Sequence, residues 1–141
     1  MSAVIRPFRI DDTEAVVTLW REAGLTRPWN DPYRDIERKL TEQPEFFLVA
    51  TVDDAVAGTV MAGWDGHRGW MSYLATSDAQ RGTGIGRALV AAAEHALEAA
   101  GCPKIMLMVR SDNDAVIGFY NALGYGTDEV RVMGKRLIPD A

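Results

Sequence analysis

Three alternating glycines constrain this chain more than any other feature. They lie in the segment Gln80-Arg81-Gly82-Thr83-Gly84-Ile85-Gly86-Arg87, between a strand-like run and a helical one. Inside a helix each would cost roughly 1 kcal/mol relative to alanine, so the spacing reads as a loop. Glycines let the backbone curl until successive N–H groups point into one concavity. A helix beginning there adds the partial positive charge of its N-terminus. The expected product is a phosphate cradle. It is not a P-loop, because no Lys-Ser or Lys-Thr pair is present in it. Nor is it a Rossmann loop. The spacing is G-x-G-x-G rather than G-x-G-x-x-G, and its strand follows an antiparallel meander. A nucleotide-binding oxidoreductase is therefore disfavoured.

The rest of the chain supplies elements on both sides of this loop. Val4 to Arg9 reads as a strand. Asp11-Asp12-Thr13-Glu14 resembles a capping box, and Ala15, Val16, Leu19, Trp20 and Ala23 share one helical face that ends at Gly24. Asp31-Pro32 is an N-cap and first-position pair for a second helix carrying Tyr33, Ile36 and Leu40. Phe46 to Val52, Val56 to Trp64 and Trp70 to Thr76 read as strands joined by turns at Asp53-Asp54 and at Asp65 to Gly69. After the glycine loop, Ile85, Leu89, Ala92, Ala93, Ala96, Leu97 and Ala100 recur at helical spacing. Ile105 to Val109 is apolar on both faces, as a strand buried on both sides would be. A helix from Asp114 to Leu123 follows, and Val130 to Met133 and Lys135 to Ile138 read as closing strands.

The expected order is β-α-α-β-β-β-α-β-α-β-β. This is an α/β layout with a mixed, mostly antiparallel sheet, a central parallel pair and helices on both faces. The 141 residues fit one domain able to bury its own core. Hydrophobic residues at 48% and charged residues at 25% match a soluble globular protein. One cysteine, Cys102, permits no internal disulfide and suits a cytoplasmic location. No signal peptide and no membrane-length apolar run is read. A net charge of −5 disfavours nucleic acid as a partner. Two histidines and one cysteine, widely spaced, make no metal site. Cys102 reads as packing, and His95, beside Glu94 and Glu98, as solvated surface.

Arg81-x-x-Gly84-x-Gly86 matches the R/Q-x-x-G-x-G/A signature of the GNAT superfamily of N-acetyltransferases, which the chain resembles along essentially its whole length. Leu74-Ala75-Thr76 falls at that family's L-x-V-type strand end. Asn113, Tyr120 and Leu123-Gly124-Tyr125 fall where it has N-x-x-A-x-x-x-Y-x-x-L-G-F. Residues 25–32, 65–69 and 134–138 look like the bacterial YpeA-type subgroup. The resemblance implies an acetyl-CoA-dependent N-acetyltransferase. The loop Arg81, Gly82, Thr83, Gly84, Ile85, Gly86 and Arg87 would hold the coenzyme A pyrophosphate. Leu74, Ala75 and Thr76 would pair with the pantetheine through their backbone. Asn113 would reach the same arm, although as a helix N-cap it has a plain structural role, and Asp112 is an alternative cap.

By the same resemblance Tyr120 is the general acid that protonates the departing thiolate, against the simpler reading of core packing. The amine would attack the thioester directly in a ternary complex, with no activated Cys or Ser to form an acyl-enzyme. Trp29 and Asn30, with Asp65 and His67 on the turn, are the expected acceptor-site residues. The relatives that acetylate protein N-termini often carry Glu in an E-V-R-like run; here the run is Met108-Val109-Arg110. That departure argues against ribosomal-protein N-terminal acetylation and leaves the base unassigned. Expected partners are an amine acceptor, small molecule or protein, with a homodimer left open, and neither nucleic acid nor membrane. No metal cofactor is expected. A non-catalytic acyl-CoA sensor is the alternative.

Overall fold

The computed structural model describes residues 3–140. These form two compact units, one holding the chain up to Leu107 together with Asp140, the other running from Met108 to Pro139.

The first unit holds β1 (Val4–Pro7), α1 (Thr13–Glu22), α2 (Pro32–Lys39), β2 (Phe47–Val52), β3 (Ala55–Trp64), β4 (Gly69–Thr76), α3 (Ile85–Ala99) and β5 (Ile105–Leu107). The five strands lie side by side in sequence order. Neighbours are antiparallel until the last pair, β4 and β5, which run parallel with α3 as the crossover. Asp53 and Asp54 both take positive φ, 52° and 65°. Those angles belong to the tight hairpin turn whose twist matches its flanking strands.

Alternation along β3 assigns the two faces. Thr59 faces α1, where its hydroxyl meets the Trp20 indole. A Cβ on neighbouring Gly58 would point at Ile85 and Leu89 of α3. So α1 and α3 cover opposite faces of the sheet, the layered arrangement expected of this class. On the α1 side Val16, Val17, Trp20, Ile36, Phe47 and Val49 are buried together. Phe8 stacks on Phe47 at 4.4 Å and Trp20 on Tyr73 at 3.7 Å between ring centroids.

Three expectations are corrected. First, the capping box expected over Asp11-Asp12-Thr13-Glu14 does not form at α1, whose N-cap position falls on Asp12 and carries no side-chain cap bond. A 3-10 turn (Ile10–Asp12) precedes the helix. Both oxygens of Asp12 are taken by the Arg6 guanidinium, at 2.8 and 3.0 Å, and Oδ2 also accepts the Arg9 N–H at 2.8 Å. The bidentate pair outcompetes a local cap.

Second, the closing strands at residues 130–133 and 135–138 do not form. Val132, Met133 and Leu137 are exposed. A strand's backbone is satisfied only by a neighbouring ladder. Among the described residues this segment has none, and β5 is only three residues long. Third, β5 is consequently the half-buried edge strand, rather than a strand covered on both sides. It ends at Leu107, and Met108 is already 67% exposed.

Candidate active site

The glycine loop forms as expected at Gly82 and Gly84, whereas Gly86 lies in the first turn of α3. A 3-10 turn (Asp78–Gln80) leads out of β4, and the chain then turns left-handed at Gly82 and Gly84, with φ of 81° and 86°. Gly84 is the N-cap of α3, and no side chain caps that helix start. A Cβ at either glycine would meet nothing within 4 Å, so a side chain there would project into open space. Ile85 is the anchor of the loop: it is buried against β3 at Gly58. Arg81, Thr83 and Arg87 are exposed. Arg81 pairs only with Asp78 across 2.6 Å of solvated surface, an ion pair worth little to stability. The chemistry on offer is an uncapped helix start, backbone N–H groups and two nearby guanidinium groups, which suits a pyrophosphate.

Leu74, Ala75 and Thr76 end β4 where the sheet is irregular. Thr59 pairs with Ala75, whereas Met61 pairs with Ser72. Tyr73 and Leu74 together therefore face the single residue Val60, a β-bulge. Tyr73 takes φ of 52°, costly for a residue with a Cβ. Its carbonyl accepts from the Thr59 hydroxyl at 2.8 Å, and Thr59 in turn accepts from the Trp20 indole N–H at 2.9 Å. Its ring lies on Trp20. Its hydroxyl donates to Asp35 Oδ2 at 2.7 Å and accepts from Asn30 at 3.1 Å. Burial, and then the Asp35 carboxylate, raise the Tyr73 pKa, so the hydroxyl stays protonated.

In the α1–α2 loop Asn30 therefore reaches β4, while Trp29 is 60% exposed and caps nothing in the core. The Asp65–His67 turn opens β4 four residues before Tyr73. Its polar groups are used internally: Asp65 Oδ1 accepts the His67 and Arg68 N–H groups, both at 2.8 Å. These bonds lower the Asp65 pKa. Asn30 is thus joined to the bulge, and Asp65 and His67 are joined to their own turn.

In the second unit Asn113 is the N-cap of α4 (Asp114–Ala122), with Oδ1 accepting the Val116 N–H at 3.3 Å. Tyr120 lies two turns along that helix and is buried. Its ring meets Phe119 and Tyr125 edge-on, at 5.1 and 5.5 Å. Burial pushes its hydroxyl up to about 12.

Comparison with known proteins now decides the family. The acetyltransferase (GNAT) family model matches residues 13–125. An acetyltransferase of Pectobacterium atrosepticum is 57% identical over 136 residues, covering 96% of each chain. The chain belongs to the GNAT acetyltransferase family. Among solved structures, Ard1 from Thermoplasma volcanium is 26% identical with a TM-score of 0.72, over 88% of this chain and 82% of that one. AAC(6')-Iy, solved with the bisubstrate analogue CoA-S-monomethyl-acetylneamine, has a TM-score of 0.81 at 16% identity, over 98% and 100%. The latter likeness is one of fold.

Within this GNAT chain, sequence reasoning passed over Asp35, Thr59 and Tyr73. Asp35 reads as an ordinary helix-surface charge, and Tyr73 as one more strand aromatic. Thr59 carried a signal: a lone hydroxyl among Val, Ala, Gly and Met in an otherwise apolar strand needs a partner wherever that strand is buried.

Proposed function

We propose that the chain transfers an acetyl group from acetyl-CoA to a primary amine by direct attack in a ternary complex. The observation that carries this reading is the left-handed turn at Gly82 and Gly84, with open space where a side chain would project, at a helix start that no side chain caps. In this reading residues 81–87 hold the pyrophosphate, and Leu74, Ala75 and Thr76 pair with the pantetheine as an added strand would. Asn113 contacts the same arm. When bound, acetyl-CoA supplies an activated thioester. The chain's residues then do the rest. A backbone N–H of the β4 bulge meets the negative charge that develops on the acyl oxygen. Tyr120, protonated because burial raises its pKa, gives its proton to the departing sulfur. Trp29 and Asn30, with Asp65 and His67 on the turn that precedes β4, border the acceptor amine.

Two measurements test this. Acetyl-CoA at 100 times its dissociation constant should stabilise the fold by about 2.7 kcal/mol, read as a rise in melting temperature that NAD and ATP do not produce. Gly84→Glu, which puts bulk and negative charge into the cradle, should abolish the rise; an undiminished rise would refute the loop assignment. Thiol release should depend on an added amine in a screen of polyamines, aminoglycosides, amino acids and peptides. Tight binding with no release for any amine would favour the non-catalytic sensor instead.

A further inference from the structure

Thr59 is the one fully buried polar side chain on the α1 face of β3, with no exposed surface. Valine has the same shape and would suit that apolar layer without a hydroxyl to satisfy. The hydroxyl has two partners. It accepts the Trp20 indole N–H at 2.9 Å and donates to the Tyr73 carbonyl at 2.8 Å. That carbonyl lies in the bulge, where the ladder between β3 and β4 slips by one residue.

The consequence follows from peptide geometry. The Tyr73 carbonyl and the Leu74 N–H belong to one planar trans unit, and no peptide bond here is cis. In such a unit C=O and N–H point in opposite directions. Fixing the carbonyl on Thr59 therefore fixes the Leu74 N–H, pointing away from Thr59. Without that bond the peptide plane loses the one described side-chain hydrogen bond that opposes relaxation of a left-handed, non-glycine residue toward an unstrained conformation. The Trp20 ring and the Asp35 and Asn30 contacts hold the Tyr73 side chain, but only Thr59 holds its carbonyl among the side-chain hydrogen bonds described.

We propose that Thr59 is a positioning residue whose hydroxyl, locked between the Trp20 indole and the Tyr73 carbonyl, aims the Leu74 N–H at the acyl oxygen of the bound thioester. This rests on the acetyl-transfer reading above and assigns the donor within the bulge to one N–H. Thr59 touches no substrate. Its influence passes through the peptide it orients, and a misaimed donor weakens charge stabilisation without removing the binding site.

The test is the 13C resonance of the thioester carbonyl in acetyl-CoA labelled at that carbon and bound to the full chain. In the wild-type complex the resonance should move downfield of free acetyl-CoA, as a hydrogen-bonded, polarised carbonyl does. Thr59→Val should lose most of that displacement while binding acetyl-CoA within about 3-fold, or 0.65 kcal/mol, of wild type. Thr59→Ser, which keeps the hydroxyl, should retain it. With an accepted amine, kcat should fall about 10- to 100-fold in the valine variant, with little change in the KM for acetyl-CoA.

Thr59→Val leaves the buried Trp20 N–H without its partner. If that variant does not fold, Trp20→Phe/Thr59→Val removes both groups and carries the same comparison against Trp20→Phe alone. A purely structural role for Thr59 predicts a lower melting temperature with an undisplaced difference between variants, and that result overturns the proposal. A wild-type chain that binds no acetyl-CoA overturns the acetyl-transfer reading first. Binding with an equal carbonyl resonance in Thr59→Val and wild type overturns the aiming role alone.

Discussion

The glycine loop and the β4 bulge solve the same backbone problem in opposite ways. Both need left-handed residues, with φ of 81° and 86° at Gly82 and Gly84 and 52° at Tyr73. The loop uses glycine, which adopts that region without strain and leaves empty the space where a side chain would project. The bulge uses tyrosine, which resists it by roughly 1–2 kcal/mol, and holds it by a ring stack, a carbonyl bond and a hydroxyl network. Glycine serves where a ligand has to approach backbone from an exposed surface. A strained side chain serves where the backbone must stay fixed inside a packed layer and the side chain has partners of its own.

Removing the packing should expose the difference most. Trp20 is fully buried, lies on Tyr73 and donates to Thr59. Trp20→Ala should cost about 3–5 kcal/mol of stability, read as a fall of the urea midpoint with unchanged slope. If the loss were under about 1 kcal/mol, the bulge would not depend on its clamp. Alanine at Gly82 or Gly84 should not approach this size.

Tyr120 sharpens the contrast from another side. In the acetyl-transfer reading proposed above, the loop and the bulge act through backbone, whereas Tyr120 acts through a side chain on a regular helix. Tyr120→Phe keeps the edge-on ring contacts with Phe119 and Tyr125 and removes the proton donor. The expected result is a fall in kcat of about 10²-fold with little change in acetyl-CoA affinity. Tyr125→Phe should leave kcat unaltered. Wild-type turnover in Tyr120→Phe, with chemistry rate-limiting, would leave the backbone groups and water to do the work.

The two regions were unequally legible in the sequence. Gly82 and Gly84 announce their conformation, because few other residues are used there. Asp31-Pro32 likewise announces the start of α2, where Asp31 Oδ1 accepts the Tyr33 N–H at 2.9 Å. The bulge is silent: a one-residue slip depends on how β3 and β4 align, and nothing local in Ser72-Tyr73-Leu74 encodes it. Residues 130–138 failed for a related reason. Val130-Arg131-Val132 alternates as a strand would, yet alternation predicts a face and not a partner. Asp11-Asp12-Thr13-Glu14 looked like a capping box because Arg6, which claims the Asp12 carboxylate, sits six residues away on β1. In each case the deciding contact lies across the fold.

Acid should act on the bulge side through that Arg6–Asp12 pair. The hydrogen bonds from Arg6 hold the Asp12 carboxyl below its ordinary value, and the pair fixes the entry to α1, which carries Trp20. A depressed folded pKa contributes stability that is fully present above the unfolded pKa, about 3.9. That contribution is lost as pH falls through the lower folded value. Asp12→Asn should therefore be destabilised by about 1.5–3 kcal/mol at neutral pH. Its deficit relative to wild type should shrink as pH falls below about 4. A deficit that stays constant to low pH would mean that the charge of Asp12 is irrelevant.

The smallest effect tests the glycine side directly. Gly84→Ala adds a Cβ that meets nothing within 4 Å, so sterics with neighbours are absent and only the φ of 86° resists it. The cost should be about 1–2 kcal/mol. Asparagine visits the left-handed region more readily than alanine, so Gly84→Asn should cost less than Gly84→Ala despite its larger side chain. Gly58→Ala supplies the opposite case. Its φ is ordinary, but a Cβ there would lie 2.9 Å from Ile85 Cγ2 and from Leu89 Cδ1 and 3.0 Å from the Ala75 carbonyl oxygen. Asparagine should bring no relief at Gly58, because crowding and not backbone conformation sets the penalty. Chemical denaturation of the four variants reads both orders. Should alanine and asparagine cost the same at Gly84, the loop's glycine would be serving space rather than conformation, and the contrast with Tyr73 would fail.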